Sequence, residues 1–348
     1  MRWDNVYLAG TGSRLPERIQ TAEQAVADGL ADAAECAAHG IRAVRVAADD
    51  ETGPVLAAAA GRAAVAMAGT PAEEFGLTVH AYVGHQGQEM WTPASYVQNE
   101  TVGGTAPAVE LLQNSNGGLF ALETAASHLA ARPGVPGAVL VTAGDTHKLP
   151  YFDRWNSDDS LAHGDGGGAA VLSSRGGFAK VRATLSYGDP SLEPFLRGTQ
   201  GWTAAPFADG KPVDLRARIR GYMERNEDNL DVMGEKIGTM SAKVLDDALA
   251  EADIALDDAR FFLHPNINLP TIEYAYHDAL GVDPARTVYE WGRDLGHMGA
   301  GDHLIGLDHI VRTRSPRKGD LLIAMGATAG FVWSVAVLEF LADIDPES

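Results

Sequence analysis

Cysteine is all but missing. Cys36 is the single one in 348 residues, so no intramolecular disulfide can form. Positive charge is also scarce: 27 Lys and Arg stand against 47 Asp and Glu, a formal net charge of −20. An acidic surface repels phosphate backbones and anionic bilayers, so neither nucleic acid nor a membrane is expected as a partner. The start, Met1-Arg-Trp-Asp-Asn5, lacks the apolar core of a secretion signal, and a soluble cytoplasmic enzyme is the expectation. One long uncharged run exists, Leu321 to Leu338, long enough to raise the question of a membrane span. Gly326 and Gly330 interrupt it, and it reads as two buried strands around a turn. Gly10-Thr-Gly12 and Gly164-Asp-Gly-Gly-Gly168 carry neither a Walker nor a dinucleotide fingerprint and read as tight turns for close packing. Asp302-His303 and Asp308-His309 repeat at a spacing of six, about 600° around a helix, so the pairs do not share a face. No His-x-x-x-His spacing or cysteine cluster accompanies them, and no metal site is expected.

What remains is an ordinary globular composition, 45% hydrophobic and 21% charged, in a chain long enough for one large or two medium domains. Asn5–Gly12, Leu77–Val83, Pro107–Leu112, Ala138–Ala143, Gly166–Leu172, a run from Ala179, Arg260–Leu263 and Arg286–Tyr289 read as strands. Ile41–Ala47 is a short strand or a loop. Thr21–Ala38, Val55–Gly69, Leu119–Ala131, Leu215–Arg225, Gly234–Ala252 and Thr271–Gly281 read as helices. Strands alternating with helices imply a layered α/β protein with buried sheets. The division falls near Ser173–Gly177, giving an N-terminal half over 1–175 and a C-terminal half over 176–348. Tyr187–Val213, rich in Pro, Gly, Thr and aromatics, reads as a long surface loop or lid.

The chemistry centres on Gln113-Asn-Ser-Asn-Gly-Gly118, where Ser115 sits between a strand and an Ala/Leu-rich helix. A side chain there feels free backbone N–H groups and partial positive charge. Such a serine either caps the helix or acts as a nucleophile whose acyl oxygen those groups stabilise. His264 follows the apolar strand Phe261-Phe-Leu263; by itself it reads as a hydrogen-bonded strand-end residue. His85 could line a pocket or lie at the surface, and Trp91, Trp155 and Trp202 could shape a pocket or anchor loops.

Taken in order, several stretches resemble the type III β-ketoacyl synthases. Val6-Tyr-Leu-Ala-Gly-Thr-Gly-Ser-Arg-Leu-Pro16 is similar to that family's opening strand and turn, and Gly40–Thr52 to the segment after it. Asn114-Ser-Asn-Gly-Gly118 falls where the family carries its cysteine nucleophile. Gly164-Asp-Gly-Gly-Gly-Ala-Ala-Val-Leu172 resembles the family's Gly-Asp-Gly-Ala-Gly-Ala segment. His264-Pro-Asn266 matches its catalytic histidine, Gly296–Asp302 the position of its catalytic asparagine, and Gly326–Trp333 the glycine turn completing its oxyanion hole. The resemblance covers essentially the whole chain. It implies a thiolase-like fold, two similar halves in a five-layer α-β-α-β-α arrangement, normally a homodimer.

The departures from the pattern set the expected chemistry. Serine replaces cysteine, so a weak nucleophile needs an adjacent base, and the intermediate is an ordinary ester. His297 replaces the asparagine and supplies that base. Leu269 stands where the family has an arginine that helps bind the carrier protein. Gly296-His-Met-Gly-Ala-Gly-Asp302 resembles a Gly-His-x-Gly-x-x-Asp motif of an actinomycete branch turned to acyl transfer in antibiotic biosynthesis. A neighbouring branch with serine is associated with choosing a propionyl polyketide starter. The resemblance therefore implies acyl-CoA as a substrate, with no bound cofactor. An acyl group passes to Ser115, then to a hydroxyl or amine of a secondary metabolite. Condensation with a malonyl group on an acyl carrier protein is the alternative, and a non-catalytic partner subunit is another. Asp302 either fixes the His297 ring or caps the helix that follows. His264 completes the catalytic set. The oxyanion is expected at the Ser115 N–H and the Ala329-Gly330 turn, with Gly117 at the pocket.

Overall fold

The computed structural model describes residues 1–131, 137–159, 161–226, 230–328 and 330–345. Eleven strands are present among them: β1 (Tyr7–Arg14), β2 (Ile19–Thr21), β3 (Ala43–Arg45), β4 (Phe75–Ala81), β5 (Ala108–Leu111), β6 (Ala138–Asp145), β7 (Gly166–Ser173), β8 (Ala179–Gly188), β9 (Ala259–Leu263), β10 (Leu321–Thr328) and β11 (Val332–Phe340). Nine of them form one mixed sheet in the order β5-β4-β6-β7-β1-β8-β11-β10-β9. β2 and β3 pair by themselves.

The order repeats. From the centre outward, β1 pairs antiparallel with β7, β7 antiparallel with β6, and β6 parallel with β4. On the other side β8 pairs antiparallel with β11, β11 antiparallel with β10, and β10 parallel with β9. The two runs meet at a short β1–β8 contact through Tyr7 and Leu8. Each run feeds a buried helix into the space between them, Gly117–Ala131 from one and Asp302–Thr313 from the other. Leu119, Leu122, Leu304, Leu307 and Ile310 on those helices pack with strand residues Val79, Val141, Leu172, Leu263 and Leu322 in a single apolar cluster. Outside one run lies the helix Gly53–Ala68, whose Ala60 and Ala64 meet Leu140 and Val171. Outside the other lies Leu230–Ala252, whose Val244, Leu245 and Ala248 meet Phe262, Ile323, Trp333 and Val335. The result is helix, strand run, helices, strand run, helix, the expected thiolase-like α/β layering, with the two runs joined into one sheet through β1 and β8.

The Ala-rich outer helix lies close because its sheet offers little bulk. Gly10 and Gly12 sit within β1 rather than in a turn, and a Cβ on either would come 2.1 or 2.2 Å from a carbonyl of Ala64 or Ala60. Burial on both faces explains why β6 and β7 read as near-continuous apolar runs.

Three expected elements differ. The single helix over Thr21–Ala38 is two, Ala22–Ala27 and Ala33–His39, because Gly29 turns the chain at φ 72° and Asp32 starts a new helix by accepting from Glu35 N–H. The helix over Thr271–Gly281 begins earlier, at Leu269, where the Asn268 side chain accepts from Thr271 N–H, and then widens into a π turn over Glu273–Asp278. Arg286–Tyr289 is not a strand: Asp283 and Pro284 start a 3-10 turn, and Tyr289–Gly292 is a helical turn. The uncharged run from Leu321 is the β10–β11 hairpin, and no helix among the described residues is long and apolar enough to cross a membrane.

Candidate active site

Ser115 lies on a 3-10 turn, Asn114–Asn116, that runs straight into the buried helix Gly117–Ala131. It forms no cap: its Oγ is 2.7 Å from His297 Nε2. Gly117 and Gly118 let the turn settle against its neighbours. A Cβ on Gly117 would stand 3.1 Å from Ala300 Cβ, and one on Gly118 only 2.4 Å from the Ala300 carbonyl. Gly117 is thus a packing position beneath the serine and does not line the cavity in front of it. Asn116 is fully buried, and its Nδ2 donates to Ser334 Oγ at 2.7 Å. Ser334 pairs with Ser186 across β11 and β8, and Ser186 donates to Glu123 on the helix that follows Ser115. This polar chain ties the turn to both strands.

His297 is placed from the other half of the molecule. Its N–H donates to the Ala162 carbonyl, and its carbonyl accepts from Gly164 N–H, so 296–298 is clamped against 162–164. Positive φ at Gly296 and Gly299 bends the chain on either side. The His297 Nδ1–H donates to Asp302 Oδ2 at 2.6 Å. Asp302 is the first residue of the helix Asp302–Thr313, yet its carboxylate does not cap that helix. It turns back to accept from Met298 N–H at Oδ1 and from Asn266 N–H at Oδ2.

Burial opposes charge at both groups, and their mutual attraction wins. The buried His297 ring is disfavoured as a cation, but the Asp302 charge and hydrogen bond lift its pKa above that of a free imidazole. Burial likewise pushes Asp302 upward, but His297 and two backbone N–H groups bring it below the ordinary carboxylate value. Asp302 is therefore the anion of the pair and has no proton to give. Nδ1 carries the ring proton, and Nε2 accepts from the Ser115 hydroxyl. This is the connectivity of a Ser-His-Asp triad.

Ser115 and His297 open onto a cavity of about 750 Å³. It is also lined by His147, Phe152, His163, Phe195, Leu215, Ile219 and Met223. The His163 ring stands 5.3 Å from that of His297 and 4.7 Å from that of His147, and burial drives its pKa well below the ordinary value. Sequence reasoning passed over His147 and His163; the one available signal was the proximity of His163 to the Gly164-Asp-Gly motif. Asp165 in that motif anchors the region, accepting from Arg154, Ala47 N–H and His147 N–H.

The remaining candidates lie elsewhere. His264 is buried and does not line the cavity; its Nδ1–H donates to the Pro265 carbonyl at 3.0 Å, and its Nε2 has no partner among the described residues. Its ring packs near Tyr276 and Tyr289, and burial lowers its pKa to about 4. Ala327 and Thr328 from the end of β10 line the cavity. Gly330 follows at φ 120°, while Ala329 lies outside the described residues. His85 pairs with Glu89 at the rim of a neighbouring groove that also holds Trp91. Trp155 is buried and donates to Gln20, and Trp202 is exposed beside Arg197. None of these three tryptophans lines the catalytic cavity. No cluster among the described residues could hold a metal ion.

A thiolase-like fold with an activated side chain at the head of its buried helix defines a class of acyl-transferring and acyl-condensing enzymes. The chain belongs to the β-ketoacyl-[acyl-carrier-protein] synthase III family. The profile described as 3-Oxoacyl-[acyl-carrier-protein (ACP)] synthase III C terminal matches residues 249–340. A β-ketoacyl-[acyl-carrier-protein] synthase III of Synechococcus sp. (strain WH7803) is 30% identical over 302 residues, 86% of each chain. An acetoacetyl CoA synthase, NphT7 of Streptomyces sp. (strain CL190), is 29% identical over 96% of this chain and 98% of that one. Among solved structures, ChlB3, described as an acyltransferase, superposes with a TM-score of 0.91 at 33% identity, covering 97% of this chain and 98% of that one. The synthase III of Pseudomonas aeruginosa PAO1, at 22% identity and TM-score 0.76, shares the fold.

Proposed function

We propose that the protein is an acyltransferase that carries an acyl group from acyl-CoA through an ester on Ser115 to a hydroxyl or amine of a small molecule. The observation that carries this reading is the hydrogen-bonded chain Ser115 Oγ, His297 Nε2, His297 Nδ1, Asp302 Oδ2, opening onto the cavity. In the first half-reaction the Ser115 oxygen bonds to the thioester carbonyl carbon while His297 Nε2 takes the hydroxyl proton. The tetrahedral oxyanion collapses, the C–S bond breaks, and the CoA thiolate leaves with a proton from His297. In the second, the acceptor gives its proton to Nε2 and bonds to the ester carbon, and Ser115 recovers a proton as it leaves. Asp302 stabilises the imidazolium at each stage. The oxyanion sits at the head of the helix, held by the Ser115 N–H and an N–H of the turn at Gly330.

Transfer to a heteroatom is favoured over condensation by two residues. Leu269, not an arginine, stands at the start of its helix, and His264 lies apart from the cavity wall. Similarity to ChlB3, described as an acyltransferase, supports the same reading. A homodimer, as expected from the sequence, is part of the proposal. Intact-protein mass spectrometry after incubation with a panel of acyl-CoA compounds tests it. A mass gain of one acyl group, absent in Ser115→Ala, is expected. No adduct with any donor, under quenching fast enough to catch hydrolysis, would make the chain a non-catalytic partner.

A further inference from the structure

The helix Leu215–Arg225 walls the catalytic cavity with one face. Leu215, Arg218, Ile219 and Met223 all line it, at spacings of three, four and eight from Leu215. Three of these are apolar. A guanidinium in the inward stripe of an amphipathic helix breaks the pattern, and a broken pattern of this kind accompanies function. The neighbouring arginines behave differently. Arg216 is held by Glu35, Asp159 and the Asp158 carbonyl, and Arg220 reaches Asp159. Arg218 makes no ion pair and no side-chain hydrogen bond among the described residues.

Its place is nevertheless well defined. Asp214 caps the helix, and Leu215 N–H and Arg216 N–H both donate to the Ser157 carbonyl, fastening the first turn to the body. The stem of Arg218 lies under Gly198, where a Cβ would come within 2.9 Å of Arg218 Cβ. Arg218 also forms, with Tyr151 and Val213, the wall shared with a second space of about 730 Å³ beneath the 200–214 loop. An unpaired cation thus stands at the threshold between the chamber holding Ser115 and an outer one.

We infer that Arg218 is a specificity-determining residue that receives an anionic group of the acyl donor, a carboxylate on the acyl chain or a phosphate of CoA. The planar fork of a guanidinium matches either group with two parallel hydrogen bonds. In a chain of net charge −20 an anionic donor meets repulsion over most of the surface, which makes one unpaired inward cation consequential. The inference rests on acyl-CoA being the donor, as proposed above.

Equilibrium binding by calorimetry separates it from the chemistry, because Ser115→Ala can bind a donor without reacting. In that background succinyl-CoA and butyryl-CoA are compared before and after Arg218→Gln, with Arg220→Gln as the control. A loss of roughly tenfold or more is expected, the size of one charge-assisted contact. A loss for succinyl-CoA alone assigns the acyl carboxylate; an equal loss for both donors and for free CoA assigns the phosphate. Arg218→Lys should fall between, keeping the charge without the fork. Affinities for both donors within twofold of the parent in Arg218→Gln, with the fold intact by circular dichroism, would overturn the inference. So would an equal loss in Arg220→Gln. If both donors bind and neither acylates Ser115 in the unmutated protein, the proposed reaction fails while the anion site stands.

Discussion

Two histidines, His264 and His297, are both expected in the catalytic set and end in opposite situations. His297 is held at both nitrogens, by Asp302 and by Ser115, and faces the cavity. His264 donates to its neighbour's carbonyl, leaves Nε2 without a partner and packs among Tyr276 and Tyr289. Both are buried, so burial alone does not separate them. The difference is a carboxylate: Asp302 lifts the pKa of His297, while His264 falls to about 4. A buried imidazole becomes a base when a charge partner offsets the desolvation of its cation, and an inert ring when none does.

Removing each ring in turn should separate the two most sharply. His297→Ala should lower the rate of Ser115 acylation by about 10⁴-fold or more, as in other triads. His264→Gln should leave that rate within about tenfold, since a group outside the triad takes no proton in the transition state. Stopped-time mass spectrometry reads both. Equal losses would place His264 in the machinery and undo the distinction.

A smaller effect tests the anchoring of the turn that carries Ser115. Ser334→Ala removes the acceptor for Asn116 Nδ2 and the donor to Ser186. Leaving a buried amide unpaired should cost about 1–3 kcal/mol in urea unfolding. A cost near zero would mean that the chain to Glu123 does not hold the turn.

Stability against pH sharpens the contrast, because the two rings have opposite linkage. His264 has a folded pKa of about 4 against an unfolded value near 6.5. Between those values the unfolded state binds more protons, so stability is full above about pH 6.5 and falls as pH drops toward 4, by roughly 3 kcal/mol. His297 works the other way. Its raised folded pKa gives a contribution present below pH ~6.5 and lost as pH rises through the higher folded value. Replacing His264 by Gln should flatten the acid side of the urea midpoint curve; an unchanged slope would show that its ring does not titrate as described.

Much of this site was legible in the sequence because its parts are local. The strand, glycine and helix around Ser115 mark the turn, and Gly296–Asp302 carries both the His297 imidazole and the Asp302 carboxylate within seven positions of chain. The return of the Asp302 carboxylate to His297, rather than to the helix it begins, follows from the turn at Gly299. Ring direction was not legible. The strand before His264 is clear in Phe261-Phe-Leu263, but contacts with Tyr276 and Tyr289 across a π turn decide where its imidazole points. His163 reaches the cavity through a bridge to His297 over a hundred residues away. Gly29 and the capping Asp32, inside an Ala-rich stretch, together split what reads as one helix.

In the proposed mechanism Asp302, His297 and Ser115 act as a unit. The most direct test is the rate of acyl-Ser115 formation across pH, by rapid quench and mass spectrometry, in the unmutated protein and in Asp302→Asn. With Asp302 present, the rate should rise with pH along one ionisation lying above that of a free imidazole, as neutral His297 becomes available. In Asp302→Asn the rate should fall by about 10⁴-fold. Its rising limb should also move to lower pH, since burial then acts on His297 unopposed. Rates within twofold of each other and a shared pH profile would contradict the account.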